Sequence, residues 1–202
     1  MPFFAKTIEG EIIQAHSASR EKSYFCTGCT EPVILKKGRW KRDHFSHKSQ
    51  SSCSLEGKSL EHQAVQNHLL NILPKVTLER RFPSIDRIAD VFWKEKNIVF
   101  EVQVSPITYE EVLKRNRDYA QLGIDVIWIF HKTHFGRKKR KKAERALHEG
   151  TYYYTDIDQD GQGTFYDKEH KVVSFLTHLE KEIKKTPLKW YKAIFDKILD
   201  AL

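Results

Sequence analysis

The apolar positions of this chain change period several times, and each change marks an element. Residues 1–20 alternate weakly through Phe4, Ile8, Ile12 and Ile13, broken at Glu9-Gly10-Glu11, which predicts a short β-hairpin. Residues 32–40 predict a strand and a turn. From 58 to 73, Leu60, Ala64, Val65, Leu69, Ile72 and Leu73 recur at helical spacing until Pro74 stops the run. Three strand-like runs follow, 75–82, 87–93 and 97–104, separated by turns at Pro83-Ser84 and Lys94-Glu-Lys96. Thr108-Tyr-Glu-Glu111 then reads as a capping box. It opens a helix through Val112, Leu113, Asn116, Tyr119, Ala120 and Leu122 to a stop at Gly123. Residues 125–130 are continuously apolar, as suits a central strand covered on both faces. The order is helix, three strands, helix, strand. Residues 151–167 predict a strand pair, and residues 172–184 and 188–202 two amphipathic helices. Tyr191, Ile194, Phe195, Ile198 and Leu202 form a stripe on the second, for core packing or contact between copies.

The stretch 86–106 organises the rest. Ile98, Phe100, Val102 and Val104 point to one face of a strand, and Val99, Glu101 and Gln103 to the other. Asp90 lies on the preceding strand, and a hairpin of ordinary register brings it beside Glu101. Two acids on neighbouring strands can hold a divalent metal. The other reading of Glu101 and Gln103 is the polar face of an amphipathic strand. Glu61 and His62 lie in the first turn of the helix from 58, where an acid is also favoured by the helix dipole alone.

Composition adds a partner and a compartment. The 202 residues carry a formal charge of +8, with twelve Phe, eight Tyr and four Trp, so the chain is too aromatic for disorder and its charge suits a polyanion such as nucleic acid. The basic run 137–142 reads equally as a phosphate-facing patch or as the solvated start of a helix. No stretch approaches the roughly 20 apolar residues of a membrane span, which leads to the expectation of a cytoplasmic protein without membrane partners.

The three cysteines are an odd number and crowd between Cys26 and Cys53, which argues for a metal site rather than a disulfide framework. Cys26-Thr-Gly-Cys29 is a knuckle, and the histidines His44 and His47 come before Cys53. Zinc takes four N or S ligands, and five are present. The expected set is Cys26, Cys29, His47 and Cys53, with His44 in reserve, because His44 continues a strand while His47 and Cys53 belong to the Ser-rich turn beyond it. Free thiols and surface histidines are the alternative. Asp156, Asp158 and Asp160 resemble part of a calcium loop, but the full pattern is absent. The expected divisions are 1–55 as a zinc-ribbon-like module, 56–135 as the core and 136–202 as a basic segment with a helical extension.

Tyr24-Phe-Cys26-x-x-Cys29, Lys37-Gly38, His44-Phe-Ser-His47, Glu61-His62, Arg87 with Asp90-Val, Glu101-Val-Gln103-x-Ser105 and Arg115, Tyr119, Gly123 and Trp128-Ile occur together in one order. Over roughly residues 20–130 this resembles the competence protein CoiA-like family, whose core belongs to the PD-(D/E)XK nucleases. The resemblance implies an α/β fold with a restriction-endonuclease-like mixed sheet flanked by helices, behind a small zinc-ribbon-like module. It implies a metal-dependent nuclease acting on DNA in uptake, recombination or processing, with recombination or competence proteins as further partners. Asp90 and Glu101 would bind Mg²⁺ or Mn²⁺, Glu61 would complete the catalytic site, and Arg87, Arg115 and Tyr119 would hold the substrate. Gln103 stands where the superfamily has a lysine, so a cationic donor is missing from that position. The alternatives are a non-catalytic DNA-binding adaptor on the same scaffold and a protein-interaction module built on the zinc ribbon.

Overall fold

Hydrophobic alternation turns into two β-sheets in the computed structural model, which describes residues 4–38, 43–48, 53, 58–136, 142–147 and 150–185. The first is antiparallel and small. It contains β1 (Phe4–Lys6), β2 (Ile12–Gln14), β3 (Tyr24–Cys26), β4 (Pro32–Lys36) and β5 (His44–His47), in the order β2-β1-β3-β4-β5. Ala5, Tyr24, Leu35 and Phe45 lie in its core, and Tyr24 packs at a tilt on Phe45 with centroids 5.1 Å apart. The expected hairpin is β1–β2. His47 ends strand β5 rather than lying in the turn beyond it, because β5 pairs with β4 over its whole length, from Lys36↔His44 to Val33↔His47.

The second sheet follows α1 (Leu60–Ile72) and begins with β6 (Val76–Phe82), β7 (Arg87–Trp93) and β8 (Ile98–Gln103), an antiparallel meander. Helix α2 (Tyr109–Ala120) crosses over to β9 (Asp125–His131), parallel to β8, and the short α3 (Lys142–Arg145) precedes β10 (Tyr152–Thr155), parallel to β9. Strands β11 (Phe165–Tyr166) and β12 (Val172–Val173) extend the edge, and α4 (Phe175–Lys185) folds back. The strand pair expected over 151–167 is β10 and β11, and with β12 it continues the same sheet. Residues 172–173 were expected in a helix. They are instead two β-branched residues paired with Tyr166 and Phe165, and the helix starts only at Phe175. The basic run 137–142, apart from Lys142, and the apolar stripe of 188–202 lie outside the described residues.

Helices cover both faces of this sheet. Val65 and Leu69 of α1 and Phe175 and Leu179 of α4 pack on Phe100, Val102, Ile127 and Ile129, while Val112 and Tyr119 of α2 pack on Val99, Val126, Trp128 and Phe130. That is why β8 and β9 read as apolar on both sides. Among the described residues no helix is long and apolar enough to cross a membrane.

The meander is irregular at one point. Leu78 pairs with Val91 and Arg80 with Ala89, but Glu79 and Asp90 between them are left out of the ladder, and Glu79 takes a left-handed φ of 52°. Ala89 packs on the α2 side and Val91 on the α1 side, although an unbroken strand would turn both the same way. One residue on each strand leaves the ladder while the register is kept, and the break re-aims both acids.

A second tight place tests the far edge. Gly163 has φ 138°, and a Cβ there would stand 2.6 Å from Ile157 Cα, whereas one at Gly161 (φ 78°) would meet nothing within 4 Å. Gly163→Ala should cost about 2 kcal/mol or more of stability and Gly161→Ala about 1 kcal/mol, read from denaturant midpoints. Equal losses would contradict the close approach.

Candidate functional site

Ser59 opens α1 by accepting the His62 N–H on its hydroxyl at 3.3 Å, which sets Glu61 and His62 in the first turn, over the break in the sheet. Asp90 lies beneath them. Pairing of β7 with β8 ends at Val91↔Phe100, and the Val102 N–H donates at 2.8 Å to Asp90 Oδ2. The two strands fork around this carboxylate. Its other oxygen meets His62 Nε2 at 3.1 Å and the Lys58 ammonium. Lys58 also donates to Glu79 Oε1 at 2.7 Å, an oxygen that Gln66 Nε2 reaches as well. The Glu79 side chain is 1% exposed, and among the described residues its second oxygen is buried without a hydrogen-bond partner.

These groups form the wall of an open cleft of about 710 Å³, which Gln103, Arg115 and His134 also line. Burial disfavours a charge on Asp90, but His62 and Lys58 beside it hold its carboxyl well below the usual range. Burial likewise works against the Lys58 charge, yet Asp90 and Glu79 raise its pKa above the ordinary lysine value. One donor atom each from His62, Glu79 and Asp90 lies within 4.8 Å of the other two. Two carboxylates and an imidazole, one carboxylate oxygen of which has no partner, fit a divalent cation such as Mn²⁺.

Glu101 has a different setting. Register would put it opposite Asp90, but its side chain turns to α2, where Tyr119 donates at 2.8 Å and Arg115 at 2.5 Å. Burial and the nearby Asp90 push its carboxyl up to about 7, against the pull of Arg115 and Tyr119. The donor group around Asp90 is thus completed by His62 and Glu79, on the α1 side, and not by Glu101. Arg115 and Tyr119, expected to face substrate, both donate to Glu101, and Arg115 also donates to Glu111, although Arg115 still lines the cleft. Arg87 is likewise engaged, with Asp118 at 2.7 Å and Glu111 at 2.9 Å. Glu61 lines the cleft one residue before His62, outside the donor group. Gln103 donates its amide to the Ser105 carbonyl at 2.6 Å.

Lys58, His62 and Glu79 were not singled out as site residues by their sequence. A signal for the break exists: apolar positions Ile88, Val91 and Trp93 change phase between 88 and 91, as a local break in the pleat requires. Nothing comparable marks Glu79.

The second donor group lies on the small sheet. Cys26, Cys29, His47 and Cys53 bring one donor atom each within 4.8 Å of the others, with Cys26 Sγ 3.6 Å from Cys53 Sγ and Cys29 Sγ 3.2 Å from His47 Nε2. A tetrahedral site with Zn–S of about 2.3 Å has S···S edges of about 3.8 Å, so the set can hold a metal such as zinc. The sharp turn of the knuckle is made at Thr30, with φ 62°, while Gly28 aims its N–H at Cys26 Sγ at 3.4 Å. His44 starts β5, opposite Lys36, and is not in the group.

Comparison with known families finds two matches along the chain. A model described as competence protein CoiA, nuclease-like domain, matches residues 56–194, and one described as competence protein CoiA, N-terminal domain, matches residues 9–56. The first match extends well past residue 130, where the sequence motifs end. No curated protein matches the chain.

Two outcomes follow from these geometries. Protein purified without chelators should carry about one zinc per chain, and Cys26→Ser should lose the metal and unfold the small sheet, whose core is too slight to stand alone. Metal-free, folded protein in elemental analysis would contradict this. For Glu101, a folded-state pKa raised from 4.5 to about 7 means that the native state binds the extra proton over that interval, so its contribution to stability is lost as pH rises through about 7. Glu101→Gln should flatten the fall in denaturation free energy between pH 4.5 and 7, and an unchanged slope would place the proton elsewhere.

Proposed function

The chain belongs to the competence protein CoiA family, and from that premise we propose that its nuclease-like domain cleaves DNA phosphodiester bonds with a divalent metal held at Asp90. The observation that carries this reading is the fork at Asp90. A strand ladder is given up, a non-glycine residue takes a left-handed conformation and two acids are buried, all on the wall of an open cleft. Such costs cluster where a site is being built.

Asp90, Glu79 and His62 are the residues that would hold Mg²⁺ or Mn²⁺. When bound, such a metal polarises a phosphoryl oxygen and lowers the pKa of its water. The chain's own groups have separate tasks. The Val102 N–H fixes the rotamer of Asp90, so that its other oxygen stays aimed at the cleft side. Arg115 presents a permanent positive charge at the cleft wall while neutralising Glu101 behind it. Gln103, tied to Ser105, lines the wall where the superfamily's lysine is expected, and it can orient a water or a phosphate oxygen but brings no charge. The net charge of +8 favours a polyanion throughout.

One observation favours a second reading, a DNA-binding scaffold without catalysis. Lys58 already bridges Glu79 and Asp90, so part of the acids' charge is answered within the chain itself.

A cleavage assay on single- and double-stranded DNA with Mn²⁺, then with EDTA, separates the two. The nuclease reading expects Mn²⁺-dependent cleavage that falls about 100-fold or more in Asp90→Ala, with DNA affinity largely kept. No cleavage by the wild type, with binding intact, would leave the scaffold.

A further inference from the structure

We infer that Lys58 is the resident counter-ion of the His62–Glu79–Asp90 group, and that a divalent cation enters only by displacing its ammonium, so that Lys58 sets the metal affinity of the site. This rests on the reading that a divalent metal works at Asp90.

Three observations carry it. The ammonium bridges Asp90 Oδ1 and Glu79 Oε1, and these two acids belong to the one donor group that surrounds the break in the sheet. A lysine there and a divalent ion repel each other across a few ångströms in a largely dehydrated wall, so the two cations compete for the same oxygens. The site is also not built for the lysine alone. Glu79 Oε2 is buried with no hydrogen-bond partner among the described residues, and His62 Nε2 stands 3.1 Å from the oxygen that Lys58 already occupies. Donor capacity is left over that an ammonium at this position does not use.

The lysine has somewhere to go. Lys58 precedes the Ser59 cap of α1, so its stem is not fixed by helix packing, and its side chain, 19% exposed, lines the open cleft. Displaced outward, it would put a cation on the same wall as Gln103, the position that lacks one. The ammonium would then face an entering phosphate rather than the two carboxylates. Metal loading and presentation of this positive charge become one event.

The test is titration of Mn²⁺ into the full zinc-loaded chain without DNA, followed calorimetrically and by the EPR signal of free Mn²⁺. Lys58→Met and Lys58→Gln should each bind Mn²⁺ about tenfold or more tightly than the wild type, and Lys58→Arg should stay near the wild type because it keeps the charge. Gln is the second neutral variant because it retains a donor for the carboxylates should Met disturb folding. Adding Glu79→Gln or Asp90→Asn to Lys58→Gln should remove the gain. Unchanged or weaker Mn²⁺ binding in folded Lys58→Gln overturns the inference, as does a gain that survives Glu79→Gln, which would place the ion away from this group. Cleavage is read separately: tightened Mn²⁺ binding without any DNA cleavage would contradict the nuclease reading and leave the competition standing.

Discussion

A carboxylate buried in a β-sheet is the constraint on which the domain depends. Asp90 stays ionised only because the protein replaces its water, with a backbone N–H on one oxygen and His62 and Lys58 on the other. Each replacement has a structural consequence. The Val102 N–H is withdrawn from the ladder between β7 and β8, so these strands fork. Lys58 and His62 must stand over the fork, which fixes where α1 begins, and the Ser59 cap makes that start definite. Glu79 turns inward to meet the same lysine and accepts an unfavourable φ to do so.

Glu101 repeats the problem on the opposite face with different partners. Tyr119 and Arg115 anchor it to α2, and Arg87 ties β7 to the same helix through Glu111 and Asp118. The two networks pin one helix to each side of the sheet, and the cleft opens where the strands fork between them. The small sheet carries its own donor group, and Cys53 lies only nine positions before His62, so the two groups are close neighbours in sequence.

Much of this was legible in the residues. Period changes located α1, the three-strand meander, α2 and β9 to within a residue or two, because capping residues and turns bound them sharply. Cys26, Cys29, His47 and Cys53 were legible from donor type and spacing, but the reason for choosing His47 over His44 was not, since both lie on strand β5 and not in strand and turn. The choice of partners for Asp90 was not. Alternation suggests that neighbouring acids share a face, and it holds only in a regular strand; the break at Glu79 and Asp90 sends Asp90 to α1 and leaves Glu101 on α2. Lys58 was hidden for another reason: a lysine before a helix cap looks like a solvated residue until the fold brings two carboxylates under it. The edge strand β12 was hidden because Val172 and Val173 fit the apolar spacing of the helix that follows them.

Anomalous diffraction from crystals of the full chain soaked in Mn²⁺ addresses the Asp90-centred site most directly. The account predicts one strong manganese peak among His62 Nε2, Glu79 and Asp90, with the Lys58 side chain moved out into the cleft. A manganese peak seated instead between Asp90 and Glu101, or one beside an undisturbed Lys58–Asp90 pair, would contradict it.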